Sequence, residues 1–141
     1  MASVFFKVPG KPQGKARPRV VEGHAYTPQK TKDFEQAVAW AFKAAGGKLL
    51  DGYIEVTVTA FYAIPKDTSK KTRELMERGI ILPMVKPDID NVVKAALDAL
   101  NGIAYKDDNQ VVKETGAKFY GKEPCLYIEV KTYDEKSGPK N

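Results

Sequence analysis

The chain has 141 residues, which is enough for one compact domain with its own core. Hydrophobic residues make up 43% and charged residues 29%, a balance typical of globular rather than disordered chains. No apolar run reaches the roughly 18–20 residues of a membrane span, and the N-terminus lacks the pattern of a secretory signal. A single cysteine, Cys125, excludes an internal disulfide, and a single histidine, His24, excludes multi-histidine metal sites. The expected location is the reducing cytoplasm.

Positive and negative charges are concentrated in different regions of the chain. Lysine and arginine outnumber aspartate and glutamate by 23 to 18, which gives a formal net charge of +5. Residues 1–32 hold seven bases against one acid, whereas residues 88–114 hold six acids against three bases. This division is compatible with an unevenly charged surface of no special function. It equally fits a polyanion-binding surface beside a cation-binding site.

The first half of the chain alternates between strand and helix patterns. Residues 4–8 predict a strand, and the prolines and glycines between positions 10 and 20 predict an irregular, exposed basic segment. Thr27 followed by Pro28 predicts the N-cap and first position of a helix that Gly46 ends, with Trp40 as a packing residue. Residues 52–64 alternate and are rich in β-branched and aromatic side chains, so they predict a strand.

The second half predicts two helices and two strands. Residues 66–78 predict a short exposed helix capped by Asp67, Thr68 or Ser69, and residues 91–100 predict an amphipathic helix that Gly102 ends. Residues 110–120 and 126–133 predict two strands joined at Gly121 as a hairpin. The predicted architecture is one α+β domain over residues 1–133, with helices packed on a mixed β-sheet and a C-terminal hairpin. A polar, flexible tail over residues 134–141 follows it.

Two aspartates separated by one residue precede the predicted helix 91–100. One aspartate at this place is an ordinary helix cap, but Asp88 together with Asp90 exceeds what capping requires. Alternate residues of an extended segment share a face, and two carboxylates 4–6 Å apart repel each other by about 1–4 kcal/mol at intermediate dielectric. Mg²⁺ suits such a pair, because it takes one or two carboxylates and keeps waters and phosphate oxygens as its other ligands.

Further charged residues follow this pair. Asp90, Lys94 and Asp98 are four residues apart and line one side of a helix, where ion pairs between neighbours are the ordinary interpretation. The functional alternative places the Lys94 ammonium near a scissile phosphate, but helix geometry alone favours the ion pairs. Asp107 and Asp108 precede the next predicted strand, either as turn residues or as the source of a third carboxylate.

The sequence also contains partial matches to other kinds of functional site. An EF-hand starting at Asp88 is excluded, because the loop needs glycine where the chain has Val93. Cys125 begins an apolar strand and is expected to be buried and structural. Asp88 with Glu129 and Lys131 imitates the PD-(D/E)xK nuclease pattern, and this is the second-ranked alternative for the acidic site.

The acidic region resembles the RusA family of Holliday junction resolvases. The segments KPDIDNVVKAALDALNG and YKDDNQVV are similar to the family pattern D-x-D-N-x-x-K-x-x-x-D-A-L…D-D-x-Q-V, and GKPQGKARPR with YTPQKT resembles the basic opening of phage-type and Gram-positive members. The resemblance implies a Mg²⁺-dependent homodimer that cuts four-way DNA junctions by paired symmetrical nicks. It implies that Asp88, Asp90 and Asp108 bind the metal and that Lys94 assists catalysis, with Asp107 the less suitable ligand.

The sequence therefore predicts a Mg²⁺-dependent, structure-selective DNA endonuclease. The phosphate backbone of the junction DNA is expected to be held by four bases of the basic segment, Lys11, Lys15, Arg17 and Arg19. A two-fold symmetric dimer would match the symmetry of a junction. Two alternatives remain at this point: a non-catalytic nucleic-acid or junction-binding module, and a less selective metal-dependent nuclease.

Overall fold

Segments whose apolar residues recur at every second position form the strands of a mixed sheet, and segments with helical spacing cover one of its faces. The computed structural model describes residues 2–15 and 19–140. In this part of the chain the elements, in order, are β1 (Ser3–Pro9), β2 (Arg19–Val21), β3 (His24–Tyr26), α1 (Gln29–Ala44), β4 (Ile54–Ala63), α2 (Lys70–Glu77), α3 (Ile89–Leu100), β5 (Val111–Gly121) and β6 (Cys125–Thr132). The predicted α+β class is confirmed.

Strand β4 lies at the centre of the sheet, whose order is β1-β6-β4-β5. It pairs parallel with β5 and antiparallel with β6, and β6 pairs antiparallel with β1. The two C-terminal strands follow each other and run in opposite directions, as a hairpin requires. They do not pair with each other, however, because β4 lies between them, so the predicted hairpin pairing is corrected. The α2 and α3 region serves instead as the crossover that a parallel β4–β5 pair needs.

The core lies between the sheet and helices α1 and α3. In β1 the buried and exposed positions alternate, with Phe6 buried and Phe5 exposed, so that one face of the sheet is covered by the helices. Phe6 packs edge-on against Phe42 of α1, with the ring centroids 5.8 Å apart. Burial of side chains of this size stabilises the fold by about 1.5–3 kcal/mol each. The helices contribute to this core Phe34, Val38, Phe42, Val92, Val93, Ala96 and Leu100.

The helix boundaries agree with the sequence in part. Helix α1 ends before Gly46, which has φ 83°, but Pro28 rather than Thr27 occupies its N-cap. Trp40 is 75% exposed, so its predicted packing role is wrong. Of the three candidate caps for α2, Ser69 is the one used, and its hydroxyl accepts a hydrogen bond from the backbone N–H of Thr72. No helix of the described residues is long and apolar enough to span a bilayer.

A small hairpin that the sequence did not predict follows the basic segment. Strands β2 and β3 pair antiparallel through a two-residue turn formed by Glu22 and Gly23. Both residues have positive φ, 52° and 79°, which is the conformation of the turn that joins twisted strands tightly. Each strand has three residues, too few for alternation to be recognised in the sequence.

Gly116 in β5 allows α3 to lie directly on the sheet. A Cβ atom at this position would approach side-chain carbons of Ile89 and Val93 to 2.8 Å. Contacts this short require the helix or the strand to move. Gly116 therefore sets the height of α3, and with it the height of the acidic segment, above the sheet.

Gly116→Ala is expected to lower the free energy of unfolding by about 1–3 kcal/mol, because the added methyl overpacks the interface between β5 and α3. Urea denaturation followed by circular dichroism measures this loss. Thr115→Ala is the matched control, since Thr115 is an exposed neighbour on the same strand and its loss should change stability by no more than about 0.5 kcal/mol. Equal effects of the two substitutions would contradict the close packing of α3 on Gly116.

Candidate active site

The two aspartates of the motif lie where helix α3 begins. Asp88 occupies the N-cap and is exposed, but its side chain makes no capping hydrogen bond. Asp90 lies in the first turn, where a negative charge is stabilised by the helix dipole by about 0.3–1 kcal/mol. Because Asp88 does not cap the helix with its carboxylate, its oxygens remain available to a ligand.

Two side chains from the sheet hold the segment that precedes Asp88. The hydroxyl of Tyr62, near the end of β4, donates a hydrogen bond to the carbonyl oxygen of Pro87 at 3.0 Å. The ammonium of Lys118 in β5 donates to the carbonyl oxygen of Val85 at 2.6 Å and lies 5.2 Å from the centre of the Tyr62 ring. Burial and the nearby charge of Asp88 raise the pKa of Tyr62, so its hydroxyl stays protonated and remains a donor at neutral pH.

Tyr62→Phe is expected to lower the free energy of unfolding by about 0.5–1.5 kcal/mol, because the hydrogen bond to Pro87 is lost while the ring beneath Lys118 is kept. By loosening the Asp88 segment, it should also reduce several-fold the endonuclease turnover that the sequence predicts. Tyr120→Phe is the matched control: Tyr120 is the neighbour of Tyr62 across the β4–β5 pair. Turnover that falls equally in both variants would show that the hydrogen bond to Pro87 does not position Asp88.

Asp107 and Asp108 have different roles in the turn before β5. The carboxylate of Asp107 accepts a hydrogen bond from the backbone N–H of Asn109 at 3.1 Å, while the Gln110 side chain accepts from the backbone of Lys106 and Asp107. Gln110 also donates to the carbonyl oxygens of two residues before β4, Leu50 and Gly52. Asp107 is thus a turn-forming residue, and this rigid turn fixes the position of Asp108.

The carboxyl of Asp108 lies in a field of mainly negative charge. Its pKa is raised chiefly by a hydrogen bond with the carboxyl of Asp107, and further by the charges of Asp107 and Asp98, whereas Lys94 lowers it. Burial and the charges of Asp108 and Asp98 also raise the pKa of Tyr105, whose hydroxyl donates to the carbonyl oxygen of Leu97 at 2.6 Å. The structure therefore brings Asp108 close to Lys94 and Asp98.

The predicted ion pairs along α3 do not form. Asp98 pairs instead with Lys15 of the basic segment, at 2.7 Å, and Lys94 has no carboxylate within 4.0 Å among the described residues. Lys94 is exposed one helical turn from Asp90 and one turn from Asp98. The interpretation of Lys94 as an ordinary helix ion-pair residue thus loses its support.

The chemistry of these groups fits a divalent cation, although they do not form one cluster. Within residues 2–15 and 19–140, no three His, Cys, Asp or Glu side chains lie close enough together to hold a metal ion. The charge of Asp88 acts on Tyr62, whereas the charges of Asp98 and Lys94 act on Asp108. The exposed carboxylates are nonetheless the ligand type that Mg²⁺ prefers, and it needs only one or two of them.

Two cavities adjoin the start of α3 and are lined by lysines. One of about 390 Å³ is lined by Lys11, Lys30 and Lys86, and the other, of about 420 Å³, shares Lys11 and Lys86 with it. The sequence pattern points to Lys11 but not to Lys30 or Lys86 as a DNA-binding residue, although Lys86 directly precedes the Pro87-Asp88 motif. We call the surface formed by Lys11, Lys30 and Lys86 the lysine groove.

The other predicted DNA-binding bases are placed differently. Lys15 is engaged by Asp98, as described above, and Arg17 lies outside the described residues. Arg19 begins β2, and its side chain is not among those described. Gly14 permits the basic segment to dock on α3, since a Cβ there would approach the Cβ of Pro87 to 2.9 Å and that of Asn91 to 3.2 Å.

The PD-(D/E)xK alternative does not agree with the sheet register. Glu129 pairs with Thr57, five residues before Tyr62 on β4, which corresponds to about 17 Å along the strand from the residue that contacts the Asp88 segment. Lys131 forms an ion pair with Glu55 at 3.9 Å rather than approaching α3. These three residues therefore do not form one site.

The lone cysteine is structural, as predicted. Cys125 is a free thiol, 4% exposed at the start of β6, and burial raises its pKa, so the reactive thiolate is disfavoured. The lone histidine, His24, is exposed in the small hairpin.

The structure is a small α+β domain with carboxylates and a lysine on one helix, beside a basic groove, and such a surface suits a polyanionic ligand. Residues 9–131 match the family described as endodeoxyribonuclease RusA, and the chain belongs to this family. Its relative, the uncharacterized protein YqaN of Bacillus subtilis (strain 168), is 38% identical over 138 residues, covering 93% of this chain and 97% of YqaN. Family membership implies that the protein is a deoxyribonuclease that cuts within the strand.

Proposed function

We propose that this protein is a Mg²⁺-dependent endonuclease that resolves four-way DNA junctions by paired symmetrical nicks. The observation that carries the proposal is the position of Asp88: its carboxylate makes no capping bond and lies at the start of α3, beside the lysine groove. Family membership over residues 9–131 supports the same activity. We further propose that the protein acts in the cytoplasm as a homodimer, because paired nicks need two sites related by symmetry.

The proposed metal ligands are Asp88, Asp90 and Asp108, of which one or two would suffice for a Mg²⁺ ion that keeps waters as its other ligands, since no three of the described acidic side chains lie close enough to hold one ion together. Mg²⁺ bound by them would act as a Lewis acid on the scissile phosphate and lower the pKa of an attacking water. Asp108 is held by its rigid turn, and Asp88 by the hydrogen bonds of Tyr62 and Lys118 to the preceding segment. Lys94, with no carboxylate partner in the described part of the chain, is free to stabilise negative charge on the phosphate in the transition state.

The basic segment and the lysine groove would hold the phosphate backbone. Lys11 and Lys86 line both cavities next to Asp88, so a strand bound there would pass the carboxylates. Lys15 would bind DNA in competition with Asp98, because a phosphate must replace the carboxylate in its 2.7 Å ion pair. We propose phosphate contacts for Lys11, Lys15, Arg17 and Arg19, together with Lys30 and Lys86.

Replacing Lys11, Lys15, Arg17 and Arg19 by alanine is expected to weaken junction binding and to flatten its salt dependence. Each lost phosphate contact should reduce the slope of log K against log salt by about 0.9. Fluorescence anisotropy with a labelled junction in Ca²⁺, at several salt concentrations, measures the slope. The matched control replaces Lys43 of α1, an exposed lysine on another element, and should leave the slope unchanged. A slope unaffected by all four substitutions would mean that the segment does not contact phosphates.

The activity itself is tested with three labelled substrates: a four-way junction, a duplex of matched sequence and a single strand. Incubation with and without Mg²⁺ should give symmetrical nicks in the junction alone, and only with the metal. Binding without nicking under every metal tested would favour a junction-binding module instead. Cutting of all three substrates at similar rates would favour a less selective nuclease.

A further inference from the structure

The loop between α2 and α3 exposes a series of apolar side chains. Met84 is 97% exposed. Its apolar neighbours in the loop are also exposed, at between 46% and 57%, and they are Ile80, Leu82 and Val85. We call these four residues the apolar loop. Neither the metal ligation nor the phosphate contacts proposed above use their side chains, and exposed apolar surface that is contiguous in this way marks an interaction site.

The backbone of the apolar loop is anchored at both ends. At its start, the N–H of Ile80 donates a hydrogen bond to the carbonyl oxygen of Leu75 in α2 at 2.9 Å. At its end, the Lys118 ammonium donates to the carbonyl oxygen of Val85 at 2.6 Å. A fixed backbone therefore holds Met84 in solvent, although the removal of an apolar side chain from water is favourable. The exposure of Met84 is a property of the fold that a ligand could use.

The charge around the apolar loop favours a polyanion as its ligand. Residues 66–86 hold six bases against three acids. None of these bases has a carboxylate within 4.0 Å in the part of the chain that the structure describes, so their positive charge is uncompensated. Anionic lipid also attracts basic and apolar residues together, but peripheral proteins bind it with longer amphipathic helices, and this segment is a loop. Nucleic acid is the better match.

The apolar loop leads directly into the candidate active site. Met84 comes shortly before Lys86 of the lysine groove, and the chain from Met84 to Asp88 can span at most about 14 Å. Because the chain belongs to a family of deoxyribonucleases, DNA is the polyanion expected there. A strand whose phosphates occupy the lysine groove would have its neighbouring bases within reach of Met84. Methionine and leucine are among the apolar side chains that DNA-binding proteins insert between base steps.

We propose that Met84, supported by Leu82 and Val85, inserts between bases at the crossover of a four-way junction and unstacks them beside the scissile phosphate. In an intact duplex, insertion costs the stacking energy of the step that is separated. At the crossover the strands pass from one arm to another and stacking is already interrupted, so insertion costs less. Met84 is then a specificity-determining residue that favours junctions over duplex. This inference rests on the proposed junction resolution.

The test uses a junction with 2-aminopurine at the crossover, because the fluorescence of this base rises when it is unstacked. In Ca²⁺, which replaces Mg²⁺ to prevent cutting, the unmodified full chain should raise the fluorescence several-fold. Met84→Ser should abolish most of this rise and reduce the preference for junction over duplex about 10-fold, as loss of a stacking contact does. Met84→Leu should keep both. The matched control is Trp40→Ser, which removes an apolar side chain 75% exposed on α1 and should change neither.

Several results would overturn the inference. These are a junction whose fluorescence does not rise on binding, a rise that persists in Met84→Ser, or a rise that Trp40→Ser abolishes equally. Normal junction binding by Met84→Ser, with loss of binding to vesicles of phosphatidylcholine and phosphatidylglycerol, would assign the apolar loop to a lipid surface instead.

The fluorescence is measured without cutting, so it separates this inference from the proposed function. A chain that unstacks the crossover through Met84 but never nicks it in Mg²⁺ would contradict the proposed function and leave the inference standing. Symmetrical nicking of the junction without any change in fluorescence would do the reverse.

Discussion

Asp108→Asn is expected to lower junction nicking in Mg²⁺ by about 100-fold or more and, at the same time, to raise the melting temperature in metal-free buffer. Activity falls because a proposed metal ligand loses its charge. Stability rises because the carboxyl of Asp108 lies beside Asp107 and within the field of Asp98, where a neutral side chain is preferred. Nicking assays and thermal unfolding in EDTA measure the two effects.

The pH dependence of this stabilisation follows from the direction of the pKa shift. The pKa of Asp108 in the folded protein lies above its ordinary value of 3.8, so the folded state binds the proton more tightly than the unfolded state. The stability that Asp108 contributes is therefore present at pH below 3.8 and is lost as the pH rises through the raised pKa. The difference in melting temperature between Asp108→Asn and the unmodified protein should accordingly grow across this window and then become constant.

Asp107→Asn is the matched control for this experiment. Asparagine keeps an oxygen that can accept the hydrogen bond from the backbone of Asn109, so the turn should persist. It also relieves the repulsion of Asp108, and the melting temperature should rise as well. Nicking, by contrast, should stay within a few-fold of the unmodified protein. Intact nicking in Asp108→Asn, or equal losses in both variants, would contradict the distinct role assigned to Asp108.

Lys94→Ala is expected to reduce junction nicking by about 100- to 1,000-fold while leaving junction affinity within a few-fold. The reason is that the proposed role of Lys94 is to stabilise charge that exists only in the transition state. Because Lys94 is exposed and makes no ion pair among the described residues, its loss should change the free energy of unfolding by no more than about 0.5 kcal/mol. Single-turnover nicking and anisotropy binding separate the two quantities.

Two further measurements sharpen the Lys94 experiment. Lys94 lowers the pKa of Asp108, so its removal should shift the acidic limb of the nicking pH profile to higher pH. Lys43→Ala on α1 is again the control and should change neither rate nor profile. A nearly normal nicking rate for Lys94→Ala would show that Lys94 is an ordinary solvent-exposed residue with no part in catalysis.

The sequence alone determined those features that depend on neighbouring residues. Strand β4 and helix α3 were predicted close to their observed bounds, because alternation and helical periodicity are local properties of the chain. The spacing of Asp88, Asp90, Lys94 and Asp108 was sufficient to indicate the family. A sequence motif, like periodicity, depends only on the order of residues along the chain. The α+β class followed from the types of these elements.

Tertiary structure decided every feature that joins distant segments. The hydrogen bond from Tyr62 to Pro87 spans 25 residues, that from Lys118 to Val85 spans 33, and that from Gln110 to Leu50 spans 60. The insertion of β4 between β5 and β6, the pairing of Asp98 with Lys15 and the exposure of Trp40 are of the same kind. Periodicity shows whether a residue lies on the apolar or the polar face of its own helix or strand. Which distant segment lies against it depends on packing and backbone pairing across the whole chain, and these are established only when it folds.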